Sequence, residues 1–166
     1  MRPPLPRRIL SRARALLSGI RTPADAWLAV RILSWRLVLP LLKWLLPLPR
    51  LVRLMWHGRD RRRNPLREER IILLCRKLSG PAGERLTDNC LERSLVTYRL
   101  LSAAGAEPEL VVAVAAELDV QGHVWVTLDG RTLHEDDDPL ERFSPLLTFG
   151  PGGLSSAGAP GLAASP

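Results

Sequence analysis

Apolar positions along this chain fall in helical stretches between residues 22 and 105, separated by a linker and a loop, and in strand-like runs from residue 109. Residues 22–56 (TPADAWLAVRILSWRLVLPLLKWLLPLPRLVRLMW) are the most apolar stretch. Thr22 or Asp25 is placed to cap a helix start there. Pro40 and Pro47 are expected to kink or break the run, so it predicts two or three short amphipathic helices carrying Trp27, Trp35, Trp44 and Trp56. Arg36, Lys43 and Arg50 line one helical face and are expected to reach solvent. Residues 58–67 (GRDRRRNPLR) read as a basic linker, and 68–78 (EERIILLCRKL) as a short helix burying Ile71, Ile72, Leu74, Cys75 and Leu78. After a loop, residues 90–105 (CLERSLVTYRLLSAAG) predict an amphipathic helix with Leu91, Leu95, Tyr98 and Leu101 on one stripe and Gly105 closing it. Then the period shortens. ELVVAVAAEL is a β-branched run, HVWVTL alternates, Asp129-Gly130 is a tight hairpin signal, and RTLHED is the return strand. Helices followed by antiparallel strands predict an α+β fold.

Length and composition narrow the class. The 166 residues, 46% of them apolar, suffice for one domain with a real core, and a charged share of 25% excludes disorder throughout. Two cysteines make no disulfide framework. The net charge of +7 divides by position: residues 1–70 hold 17 Arg and Lys against 4 Asp and Glu, and residues 71–166 hold 7 against 13. Four regions are expected: a basic, partly disordered N-terminus over 1–20, a basic amphipathic helical region and linker over 21–67, a folded domain over 68–150, and a disordered tail over 151–166.

Charge also bears on location and partners. Arg31, Arg36, Lys43, Arg50 and Arg53 interrupt the apolar stretch too often for a single membrane span. Arg12 and Arg14 break the earlier run, so no secretory signal is read and a cytoplasmic location is expected. The basic, Trp-bearing helices could instead rest on an anionic membrane or on a partner. Arg61, Arg62 and Arg63 come without a nucleic-acid reading motif, which argues against that partner. No phosphate-binding glycine loop is present, and His57, His123 and His134 lack metal-ligand spacing with the cysteines, so no cofactor or metal is expected.

The candidate chemistry centres on Cys90. A thiol at a helix start feels the positive end of the helix dipole, which favours the nucleophilic thiolate, and first-turn N–H groups can hold an oxyanion. Asn89 and Glu92 are spaced as in a capping box. Cys75, among Leu and Ile in mid-helix, reads as a small buried hydrophobe. His123 opens the strand HVWVTL. Counting outward from the Asp129-Gly130 loop, Leu128 faces Arg131 and His123 faces Asp136, on one side of the sheet. Glu135 and Asp137 then point away unless a bulge shifts the register. Cys90, His123 and Asp136 are thus nucleophile, base and orienter of a candidate triad.

These residues resemble a known pattern. The helix start Cys90-Leu-Glu-Arg-Ser-Leu, the small-residue strand Leu110-Val-Val-Ala-Val, and His123-Val-Trp-Val-Thr-Leu-Asp-Gly are similar to the transglutaminase-like B-protein family of lasso-peptide biosynthesis, the microcin-processing leader peptidases of bacteria. The resemblance covers residues 68–150. It implies a papain/transglutaminase-like core, a Cys-bearing helix packed on a small antiparallel sheet, to which the N-terminal helices are added. It further implies removal of the leader from a ribosomally made precursor peptide with the help of a small leader-binding protein. On that pattern Cys90 maps to the nucleophile, His123 to the base, and Asp136 or, by an alignment one residue shorter, Glu135 to the acid. Trp125 belongs to the His motif, and Arg93 and Ser94 read as structural. Val124, Thr127 and Ala113 depart mildly from the family's usual residues. The contrasting reading is a non-catalytic or transamidating module whose basic helices bind a membrane surface or a peptide partner.

Overall fold

The computed structural model describes residues 20–58, 62–79, 90–115, 122–135 and 137–157. Of the two caps the sequence offers, Thr22 is the one that starts helix α1 (Pro23–Leu45), in a capping box with Asp25: Thr22 Oγ1 accepts from the Asp25 N–H at 3.1 Å, and the Asp25 carboxylate accepts from the Thr22 N–H at 3.0 Å. Pro40 does not break it. Leu39 and Leu42, on either side of that proline, pack into the core, and their burial outweighs the lost helix bond. The second break comes where it was expected, since Pro47 precedes α2 (Leu48–Met55). Helix α3 (Pro65–Ser79) begins three residues earlier than the pattern suggests, because Pro65 takes the first helical position and Asn64 Oδ1 accepts from the Arg67 N–H. Helix α4 (Cys90–Ser102) ends on Gly105, whose φ of 88° is the left-handed cap conformation.

The strands β1 (Glu109–Ala115), β2 (Gly122–Leu128), β3 (Arg131–Leu133), β4 (Phe143–Phe149) and β5 (Ser155–Ala157) form one antiparallel sheet in the order β3-β2-β1-β4-β5. The hairpin register is the one counted from the sequence, with Leu128 opposite Arg131 and Val126 opposite Leu133. Asp129 and Gly130 both take positive φ, as a tight hairpin turn requires. The architecture is α+β, as expected, with α4 at its centre.

Helix α4 is buried over most of its surface. It contacts β2 and β1 of the sheet as well as α1, α2 and α3. Ile32, Leu39, Leu51, Val52 and Met55 of the first two helices share one core with Leu95, Tyr98 and Leu101 of α4 and Val124 and Val126 of β2. At about 1.5–3 kcal/mol per buried side chain, those helices are part of what holds the sheet in place. The boundary expected between residues 67 and 68 falls inside α3. Arg99 links the layers: it lies 4.1 Å over the Trp35 ring and donates to the Leu54 carbonyl.

Two expectations need correction. The C-terminal tail does not become irregular at 151, because Pro151–Gly153 form a 3-10 turn and β5 pairs with β4 through Phe149 and Ser155. Residues 158–166 lie outside the described residues, as do 1–19 and Arg61. Nor do the α1 cations simply reach solvent: Arg36 donates to the Leu78 carbonyl at 2.7 Å, and Lys43 meets Glu92 at 2.6 Å. Arg63 is held by Glu68 at 2.8 Å and by Asp129 of the hairpin turn. Among the described residues, no helix is long and apolar enough to cross a membrane.

Candidate active site

Strand β3 is short, and its pairing with β2 stops at Leu133. The edge of β2 beyond Val126 is therefore open on that side, and the first turn of α4 covers it. Ser94 Oγ donates to the Val124 carbonyl at 2.9 Å, satisfying a backbone acceptor that β3 does not reach. This places Cys90, the first residue of α4, beside His123. Cys90 is half-buried and its thiol is free.

His123 shares a sheet face with Ala113, opposite it on β1, and with Trp125 two residues on. Its ring stacks on Phe143 with centroids 4.8 Å apart, and Trp125 lies 5.8 Å away. The two aromatic rings restrict how the imidazole can turn. The Nε2 atom is 3.2 Å from Glu135 Oε2, and the ring also hydrogen-bonds the Cys90 thiol. The other Glu135 oxygen accepts from Arg93 Nη2 at 2.6 Å. Cys90, His123, Glu135 and Arg93 thus form one chain of contacts.

The carboxylate that meets His123 is one residue earlier than the hairpin register suggests. Asp136 itself lies outside the described residues. The register argument ends at His134, whose φ of 69° takes the backbone out of the extended region. Strict alternation stops there, and Glu135 turns to the His123 side. His134 is buried and goes elsewhere, its Nε2 3.2 Å from Thr97 Oγ1 on α4. Burial and the nearby Arg93 push its pKa down to about 4, so it is neutral.

Charges alternate along the contact chain. Burial opposes ionisation of Cys90, but the His123 hydrogen bond, backbone hydrogen bonds at Val124 and Leu91, and the imidazolium charge together bring its pKa below the ordinary thiol value. His123 is raised to about 9, first by its bond to Cys90 and next by Glu135. Burial likewise opposes ionisation of Glu135, and His123 and Arg93 overcome it. In their ionised forms Cys90, His123, Glu135 and Arg93 each have a neighbour of opposite sign, which offsets the cost of holding a charge out of water. Cys75 is the counter-case: fully buried on α3, its thiol is pushed up to about 12.

Sequence reasoning missed two members of this site. Arg93 carried a signal in its position, one helical turn after Cys90, but nothing pointed it at Glu135. Phe143 carried none, because its approach depends on the β1–β4 pairing. Asn89 lies outside the described residues, and the Glu92 carboxylate meets Lys43 of α1.

The fold and site thus combine a Cys-bearing helix laid against an antiparallel sheet with a histidine on the adjoining strand. The model of the transglutaminase-like superfamily matches residues 29–148, and the chain belongs to that superfamily, which includes cysteine proteases and transamidases. No curated protein and no solved structure gives a significant match.

Arg93 and Glu135 offer a direct test of the contact chain. Glu135→Gln removes the charge facing His123 and is expected to raise the apparent pKa of Cys90 alkylation by about one pH unit. Arg93→Gln is expected to move it the same way by less. Iodoacetamide labelling rates across pH report both. A larger shift in Asp136→Asn than in Glu135→Gln would hand the acid's role to Asp136.

Proposed function

We propose that the protein is a cysteine-dependent acyl hydrolase that cleaves the leader from a ribosomally made precursor peptide, with Cys90 as nucleophile, His123 as base and Glu135 as the acid that orients it. The observation that carries the reading is the contact chain from Cys90 through His123 to Glu135, with the thiol at a helix start and its pKa drawn down. The leader-peptidase assignment rests on the resemblance of the Cys90 and His123 motifs, and a small leader-binding protein belongs to the same expectation.

In this mechanism the Cys90 thiolate attacks the amide carbonyl, and first-turn N–H groups of α4 receive the oxyanion. The C–N bond breaks as His123 gives its proton to the leaving amine. The resulting thioester is attacked by water, which passes a proton to His123. The carboxylate product leaves, and the thiolate–imidazolium pair is restored. Glu135, itself held by Arg93, keeps the imidazole facing the sulfur throughout.

Mass spectrometry of precursor peptides incubated with the protein and a leader-binding partner tests the assignment. The expected result is two fragments whose summed mass exceeds the precursor by one water. An added amine incorporated in place of water identifies a transamidase instead. Intact precursor alongside a fast-alkylating Cys90 would overturn the leader-peptidase reading and leave the nucleophile standing.

A further inference from the structure

Helix α1 turns its charged side chains Asp25, Arg36 and Lys43 toward the protein, beside a buried apolar strip, and leaves an apolar side facing away. Inward, Ile32 and Leu39 are fully buried. Outward, Trp27, Val30, Leu33, Leu37, Val38, Leu41, Trp44 and Leu45 are all exposed, Leu37 by 82% and Trp44 by 83%. At 100° per residue these eight side chains fall within less than half the helix circumference. The other α1 positions in that arc are Pro23, Ala26 and Ser34, so no charge interrupts it. Trp27 and Trp44 stand near its ends, about 26 Å apart along the axis. An exposed apolar stripe of this length marks a contact surface.

Charge around the stripe selects the occupant. Between residues 20 and 58 the only acidic residue is Asp25, and it is buried against Arg70 at 2.6 Å. Arg21 at one end of α1, and Arg50 and Arg53 beyond the other, are exposed. The 19 residues that precede this stretch contain five arginines and no acid. Two copies of the chain meeting through α1 would bring like charges together. An anionic bilayer offers the opposite match: acyl chains for a charge-free ridge of Leu and Val, a headgroup layer for the tryptophans, and phosphates for the arginines.

We infer that the outward face of α1 docks the protein flat on an anionic phospholipid surface, with Leu37, Leu41 and Trp44 inserted at the headgroup boundary and Arg50 and Arg53 on lipid phosphates. The inference does not depend on the proposed chemistry.

Vesicle flotation of the full chain is the test, with phosphatidylcholine alone and with about 30 mol% phosphatidylglycerol added. The expected result is recruitment to the anionic vesicles at least about tenfold above the neutral ones, weakened by raising salt. Arg50→Glu with Arg53→Glu is expected to lower recruitment by roughly 30-fold, and Leu37→Glu with Trp44→Glu by about 100-fold. All four positions are exposed, so unchanged thermal unfolding separates lost docking from lost folding. Failure to float with anionic vesicles would overturn the inference. So would a Leu37→Glu, Trp44→Glu variant that floats like the parent, or a lipid-free dimer that this variant splits.

Discussion

Cys90→Ala is expected to abolish rapid alkylation of the protein and to lower peptide hydrolysis by at least about 10⁴-fold, the usual consequence of removing a nucleophile. His123→Ala should come close to it by another route. It deletes the hydrogen bond and the charge of His123 that favour the Cys90 thiolate, leaving only the backbone hydrogen bonds at Val124 and Leu91 against burial, which opposes ionisation. Alkylation of Cys90 at neutral pH should then fall at least about tenfold. Cys75 makes no difference to either readout, since it is fully buried and its thiol is held near 12.

The pH dependence carries the same expectation with a definite sign. A free thiol slows tenfold for each pH unit below about 8.5. With the Cys90 pKa lowered from the ordinary thiol value, its alkylation should begin to slow at a lower pH than that of a free thiol. The upper limit for hydrolysis comes from His123, which must be protonated to release the amine, so the rate should fall as pH rises through about 9. Stability follows the same pair. The raised pKa of His123 contributes stability that is complete below about 6.5 and lost as pH rises through about 9. The lowered pKa of Cys90 contributes above the ordinary thiol value and is lost as pH falls through the folded value. A Cys90 that labels no faster than a model thiol at pH 6, or a rate still climbing above pH 10, would remove the ion pair from the account.

The elements most legible in the sequence were those specified by neighbours in the chain. The cap at the start of α1, narrowed to Thr22 or Asp25, the Gly105 cap and the Asp129-Gly130 turn each depend on contacts within a few residues. The hairpin register was legible to Leu133 and no further. One positive φ, at His134, reset which side chains face His123, and no alternation pattern records a single backbone torsion. Long-range partners stayed hidden for a related reason. Lys43 looks like a solvent-facing cation until α4 brings Glu92 to it, and Pro40 looks like a break until Leu39 is seen in the core. In each case a contact distant in sequence decided against a local preference.

Gly153→Ala is expected to be among the most damaging single-methyl additions in the molecule. Gly153 has a φ of 66°, and a Cβ there would lie 2.8 Å from Arg53 Cα and 2.9 Å from Arg53 N. Those atoms are backbone in the middle of α2, flanked by the buried Leu51, Val52 and Met55, so they have no cheap way to move. The turn they would push aside holds the β4–β5 end of the sheet to the helices, and Tyr98 Oη donates to the Gly150 carbonyl at 2.5 Å beside it. Left-handed backbone strain and overpacking together amount to about 2–5 kcal/mol, which for a chain of this size lowers Tm by roughly 5–20 °C. Gly130→Ala is the control: its φ is 74° but nothing lies within 4 Å of the added carbon, so it carries the strain without the clash. Thermal or urea unfolding of the two variants isolates the steric part. Equal losses would mean that α2 and the 151–153 turn do not pack as closely as described. A larger loss for Gly153→Ala, with the pH profile of Cys90 labelling unchanged, would show that the N-terminal helices support the sheet mechanically while the thiol's chemistry is set locally by His123 and Glu135.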